Sequence, residues 1–198
     1  MRHRSILLLV LLAPVGAACG SPGTAQGNHS AEVAADSATA SALARFRTGL
    51  PKPSALEGGA ASVSSLIERY MDALAAHDTA ALVSMHLTDA EFAWLYYPES
   101  PYTRRPYRQD PDVVWSLLRL NSEKGIARAL RLYGGVEAGF LGSTCGESPL
   151  LQGRNRLWQN CRPMVRPSSG DGAVAMRLFG SILERDGRFK FLSYTNDL

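Results

Sequence analysis

Five side chains of this 198-residue chain have the right types and neighbours to meet a small molecule: His86, Trp94, Tyr97, Gln159 and Ser193. His86 lies among Met85, Leu87 and the aromatic run Phe92, Trp94, Tyr96 and Tyr97. An imidazole in such surroundings can act as a base or orient a ligand. More often a histidine of this kind is half-buried and bonded to backbone. Gln159 and Ser193 share strand parity with Leu157, Phe189 and Phe191, which makes them candidate polar points inside an apolar cavity. His77, beside Asp78, reads as a structural residue at a helix end. The carboxylates Asp89, Glu91 and Glu99 read as surface charge.

Other chemistries lack their parts. There is no Gly-x-Ser-x-Gly elbow, no phosphate-cradling glycine loop and no dinucleotide fingerprint. Beyond residue 57 the chain has two cysteines and two histidines, with no close pair of either, which is a poor zinc set. The expectation is therefore no cofactor, no metal and no assignable catalytic residue. Charge also narrows the field. Once Arg2 and Arg4 are set aside with a removable leader, 19 cations face 18 anions, too even a balance for a nucleic-acid binder held by a basic field. The basic and aromatic loop from Pro98 to Asp110 reads as solvated rather than as a nucleic-acid grip. At 45% hydrophobic and 20% charged, the composition is that of a globular protein.

The N-terminus has a positive start at Arg2 and Arg4, an apolar run from Ile6 to Val15, then Gly16, Ala17, Ala18 and Cys19. The run is too short to span a bilayer as a helix, which needs roughly 20 residues. It resembles a bacterial lipoprotein signal, with Gly16 standing where such signals usually carry leucine. That resemblance implies cleavage after residue 18, a lipid on Cys19, membrane attachment through it, and a place in the cell envelope facing the periplasm or exterior. The alternative is ordinary cleavage after Ala18 that leaves Cys19 as a free thiol. If Cys19 carries lipid, Cys145 and Cys161 remain as an even pair in an oxidising space, where a disulfide is expected. The loop so closed has about 15 residues, worth on the order of 3 kcal/mol in the chain-entropy picture.

Three regions follow: a signal over 1–18, a flexible tether over 19–57 and a folded domain over 58–198. The tether is rich in Gly, Ala, Ser and Thr, although Leu43, Phe46 and Leu50 can dock its last part. The domain opens with helices. Val63, Leu66, Ile67, Tyr70, Met71 and Leu74 have helical spacing, with Ser65 or Ser62 as cap. Asp78 and Thr88 with Glu91 supply two more helix starts, with Phe92–Tyr97 open between helix and strand; Asp110-Pro111 starts a fourth, and helix resumes after Asn121 until Gly134-Gly135. Strands are expected over Val136–Cys145, Arg156–Arg166, Ala173–Glu184 and Arg188–Thr195, with Asp186-Gly187 as a hairpin turn. The class is α+β, with helices packed on an antiparallel meander.

This order of elements, with the ending Arg177-Leu-Phe-Gly-Ser-Ile-Leu-Glu-Arg-Asp-Gly-Arg-Phe-Lys-Phe-Leu-Ser-Tyr194, resembles the nuclear transport factor 2-like superfamily, which includes SnoaL-like proteins. The likeness runs from about Ala61 to Asp197. It implies a cone-like fold in which helices cover a curved antiparallel sheet. It carries no catalytic set onto this chain, and fold alone does not give function. Two functions compete. One is an envelope-anchored module that binds a small apolar ligand or a protein. The other is a cofactor-free isomerase, dehydratase or cyclase with a pocket base. Sheet parity adds a third expectation. Trp158, Phe179, Leu192 and Tyr194 are placed on an outer face, where they would join two copies of the chain sheet to sheet.

Overall fold

Helix starts follow the caps that the sequence offers. The fold is that of a computed structural model, which describes residues 25–136, 139–146, 148–166 and 172–195, with side chains from residue 34 onward. Helix α1 spans Ala25–Phe46. Helix α2, Val63–Ala75, is capped by Ser62, whose hydroxyl accepts the Ser65 N–H; Ser62, not Ser65, is thus the cap. Asp78 caps α3, Thr79–Ser84, in the same way. Thr88 and Glu91 form a reciprocal capping box around the single turn α4, Asp89–Glu91. The aromatic stretch that follows is a π-helical turn over Phe92–Tyr96 and a 3-10 turn over Tyr97–Glu99. Helix α5, Pro111–Tyr133, is continuous, with Pro111 at its first position and Gly135 in the left-handed conformation just past its end.

The second half is α+β as expected, but its strands are shorter and more numerous. They are β1 (Gly139–Thr144), β2 (Leu150–Gln152), β3 (Asn155–Trp158), β4 (Arg162–Arg166), β5 (Val174–Ala175), β6 (Ile182–Arg185) and β7 (Arg188–Phe191). All pairings are antiparallel, in two sheets of order β1-β4-β5 and β2-β3-β6-β7. Asp186-Gly187 closes the last hairpin with both residues at positive φ, the geometry of a two-residue primed turn. The turn expected over Pro167–Gly172 lies outside the described residues except for Gly172.

The expected strand over Arg156–Arg166 is split by Asn160, which is left-handed at φ 55°, so β3 and β4 enter different sheets. Register slips at the same level. Arg156 faces Glu184, which carried forward would set Met176 opposite Met164; Ala175 stands there instead. A one-residue slip turns side chains to the other face. The outer-face assignment fails separately: Trp158 stands opposite Ile182 and shares its face, and Phe179, Leu192 and Tyr194 lie outside the regular strands. Trp158, Phe179 and Tyr194 pack in one core cluster with Ile182, Phe189 and Phe191, while Leu192 joins Leu157 and Leu183 in a second cluster on the opposite face. Phe179, Leu192 and Tyr194 are at most 4% exposed, so the surface invoked for sheet-to-sheet pairing of two copies is interior.

What covers that second face is the segment read as a tether. Ala42 and Leu56 are buried. Phe46 meets Phe92 edge-on at 5.6 Å. Arg47 donates to the Ala93 carbonyl and lays its guanidinium over the Trp94 ring at 3.9 Å. Asp36 pairs with Arg108. Residues 34–57 therefore belong to the folded unit instead of trailing from it, because the aromatic run 92–97 needs an apolar cover that the sheet alone does not give. The signal segment and Cys19 lie outside the described residues. Among those described, no helix is long and apolar enough to cross a membrane.

Cys145 and Cys161 form the expected disulfide, with sulfurs 2.07 Å apart. The bridge stands where β1 ends and β4 begins, beside the Thr144–Arg162 pair.

Candidate functional site

Met85, His86 and Leu87 leave α3 and run along the free edge of β7. Phe191 N–H donates to Met85 O, and Leu87 N–H donates to Phe191 O. This edge pairing turns the His86 ring toward α5. Its Nδ1 lies 3.0 Å from Leu87 O, and a carbonyl only accepts, so the neutral ring carries its proton on Nδ1. Nε2, 3.1 Å from Ser122 Oγ, then accepts the serine proton. Ser122 Oγ in turn accepts the Tyr194 N–H at 3.1 Å. The ring also stacks on Tyr194 at 5.8 Å and tilts against Trp115 at 5.6 Å.

Burial holds the His86 pKa below its ordinary 6.5, opposed by backbone hydrogen bonds to Leu87 and Leu192, with Lys190 lowering it further and Glu91 raising it. Because the folded pKa is lowered, the unfolded chain binds the proton first on acidification. The stability contributed by neutral His86 is therefore complete above pH 6.5 and is lost as pH falls below it. Urea midpoints at pH 7.5 and 5.5 test this. The native protein should lose more stability over that interval than His86→Gln does, with a ceiling for one group of about 1.4 kcal/mol per pH unit.

His86 and Ser122 form the inner wall of a groove of about 640 Å³ between α3, α5 and the residues after α1. Leu50, Pro51, Pro53, Val83, Leu87, Trp115 and Ile126 give it an apolar lining, and Glu57, Asp89, Arg119 and Glu123 stand among the residues around it. Asp89 accepts the Trp115 indole N–H at 3.0 Å, which fixes the tryptophan at the groove wall.

The five sequence-derived pocket residues do not converge. Only His86 lines this groove. Trp94 is not among the groove residues; its ring meets the Arg47 guanidinium at 3.9 Å and the Lys52 ammonium at 5.3 Å. Tyr97 is buried, and its hydroxyl donates to Gln109 O at 2.6 Å while burial, together with Asp110, raises its pKa to about 12. Gln159 is exposed at the bend between the sheets, and its carbonyl accepts the Gly146 N–H. Ser193 is half-buried and donates to Thr195 Oγ1. Shared strand parity did not bring these residues together, because Gln159 and Ser193 lie beyond the ends of the regular strands.

Two buried polar centres were not foreseen, and the first of them borders the groove. Glu91 is 1% exposed, although its position in a short helix suggested a surface charge. It accepts the Thr88 and Glu57 N–H groups at 2.8 and 2.6 Å and both oxygens meet Lys190 Nζ at 2.9–3.1 Å. The carboxylate therefore ties the groove segment at Glu57 to α4 and β7. Arg185, 6% exposed, donates to Leu95 O, Asn155 Oδ1 and Glu99 Oε1, all within 3.0 Å. Two signals could have found the first centre: the capping-box spacing for Glu91, and strand parity, which sets Lys190 beside Leu192 on one face.

No group of three or more His, Cys, Asp or Glu placed to hold a metal ion occurs among the described residues. Models of known protein families, curated proteins and solved structures all give no match to this chain.

Proposed function

We propose that this chain is an envelope lipoprotein whose folded domain holds a small, largely apolar ligand in the groove between α3, α5 and residues 50–57. The groove carries the reading: an apolar hollow of about 640 Å³ with two buried polar points, His86 and Ser122, on its inner wall. That is the usual make-up of a ligand pocket. The nuclear transport factor 2-like reading is supported by helices that precede the strands and by the strand order. Residues 155–166 and 174–185 run side by side through both sheets, with β1 and β2 on one flank and β7 on the other. The lipoprotein reading rests on the leader and Cys19. The enzyme reading has less support, because both nitrogens of His86 already have partners and the ring is 8% exposed.

Cys19→Ser provides the test material. That variant should leave the membrane fraction for the soluble one; retention there would overturn the anchor. With the soluble variant, octanol should bind in titration calorimetry, and Val83→Trp should weaken it at least tenfold. Val83 is 56% exposed on the groove wall, so the added ring fills the hollow without disturbing the core. No octanol binding, or no effect of the tryptophan, would overturn the groove as a ligand site.

A further inference from the structure

The charges around the groove are unequal. Arg119 and Glu123 face each other at 3.5 Å on successive turns of α5 and offset one another. Glu57 and Asp89 remain. Both are exposed, and neither makes an ion pair with any described residue. The Asp89 carboxylate is held by the Trp115 indole, and the backbone of Glu57 by Glu91, so one carboxylate is fixed among the groove's lining residues and the other is tethered there by its main chain. The inner wall offers no cation to balance them. Lys190, behind it, is 2% exposed and spent on Glu91. An apolar hollow with uncompensated negative charge at its opening selects by charge complementarity as well as by shape.

We infer that the groove takes amphipathic cations: molecules with an apolar body of alkyl or ring type and one protonated amine or quaternary ammonium. The body fills the hollow lined by Leu50, Val83, Leu87 and Ile126, and the ammonium stays at the opening between Glu57 and Asp89. An anion on the same body meets like charge there. The inference rests on the groove reading above and adds the sign of the ligand.

Three probes of one chain length separate the two ideas: octylammonium, octanol and octanoate, titrated into the full-length Cys19→Ser protein at pH 7.5. Octylammonium should bind about tenfold tighter than octanol at low salt, and octanoate more weakly than octanol. The preference should shrink at 0.5 M salt, since exposed charges are screened over a few ångströms there. Glu57→Gln with Asp89→Asn should erase the difference between the three. Equal binding of all three by the native groove, or tightest binding of octanoate, would overturn the cation preference while leaving the groove as a ligand site. Binding of none would overturn both. A preference that survives the double substitution would place the selective charge elsewhere and overturn the role given to these two residues.

Discussion

Lys190→Met should cost about 3–5 kcal/mol of folding stability, the range for removing one partner of a buried ion pair. Lys190 is 2% exposed and Glu91 1%, so water cannot replace the lost ammonium. Methionine fills the space of the lysine stem and leaves little cavity, so the loss reports the uncompensated carboxylate. Two N–H donors, Glu57 and Thr88, stay on Glu91 and keep the cost from rising further. Urea denaturation measures it: the midpoint should fall while the slope is unchanged. Arg119→Met breaks the Arg119–Glu123 pair, whose side chains are 54% and 64% exposed, and should shift stability by no more than about 1 kcal/mol. Glu91→Gln in the Lys190→Met background should cost much less than Glu91→Gln alone, because neighbours that share a contact are not additive. A loss below 1 kcal/mol in Lys190→Met would mean that the pair is solvated and does not tie Glu57 to β7.

The helical half was legible because its signals are local. Asp78 and the Thr88–Glu91 box each act within one turn and cap the helix that their spacing announced, while at α2 the rival Ser62 caps in place of Ser65. Asp186-Gly187 is equally local, since a two-residue turn fixes its own backbone. The disulfide followed from the even pair, Cys145 and Cys161, that remains if Cys19 carries lipid. What failed needed information from across the fold. Period-two parity holds only while register holds, and the left-handed Asn160 and the Met164–Ala175 slip interrupt it. Residues 34–57 looked solvent-loving by composition, yet Ala42, Leu56 and the Phe46–Phe92 contact bury enough to order them. The groove was missed with them, since Leu50, Pro51, Pro53 and Glu57 form one of its walls. Ser122 gave no signal, because a mid-helix serine is ordinarily neutral or slightly unfavourable.

Gly125 is the position where helix propensity and packing give opposite predictions. Glycine inside a helix costs about 1 kcal/mol relative to alanine, so Gly125→Ala would ordinarily stabilise α5. Here an added Cβ would collide with the Tyr194 carbonyl, whose carbon is 2.7 Å away, and its atoms are backbone that cannot swing aside. Tyr194 cannot yield easily. Its N–H is held by Ser122, its hydroxyl donates to Leu82 O at 2.7 Å, and its ring packs on Tyr70 at 5.7 Å. Relieving the clash means lifting α5, which pulls Ser122 from His86, or lifting residues 193–195, which takes the Tyr194 N–H from Ser122 and its ring from His86. Gly125→Ala should therefore destabilise the protein by about 1–3 kcal/mol or more net of the propensity gain, the scale of overpacking in a filled core. Gly172→Ala, where an added Cβ meets nothing within 4 Å, supplies the control and should change little. Gly125→Ala should also weaken the pH dependence assigned to His86, since a ring released from Ser122 and Tyr194 meets water. A higher urea midpoint in Gly125→Ala would show that α5 does not press on Tyr194. It would also remove the packing that holds Ser122 against His86 on the groove's inner wall.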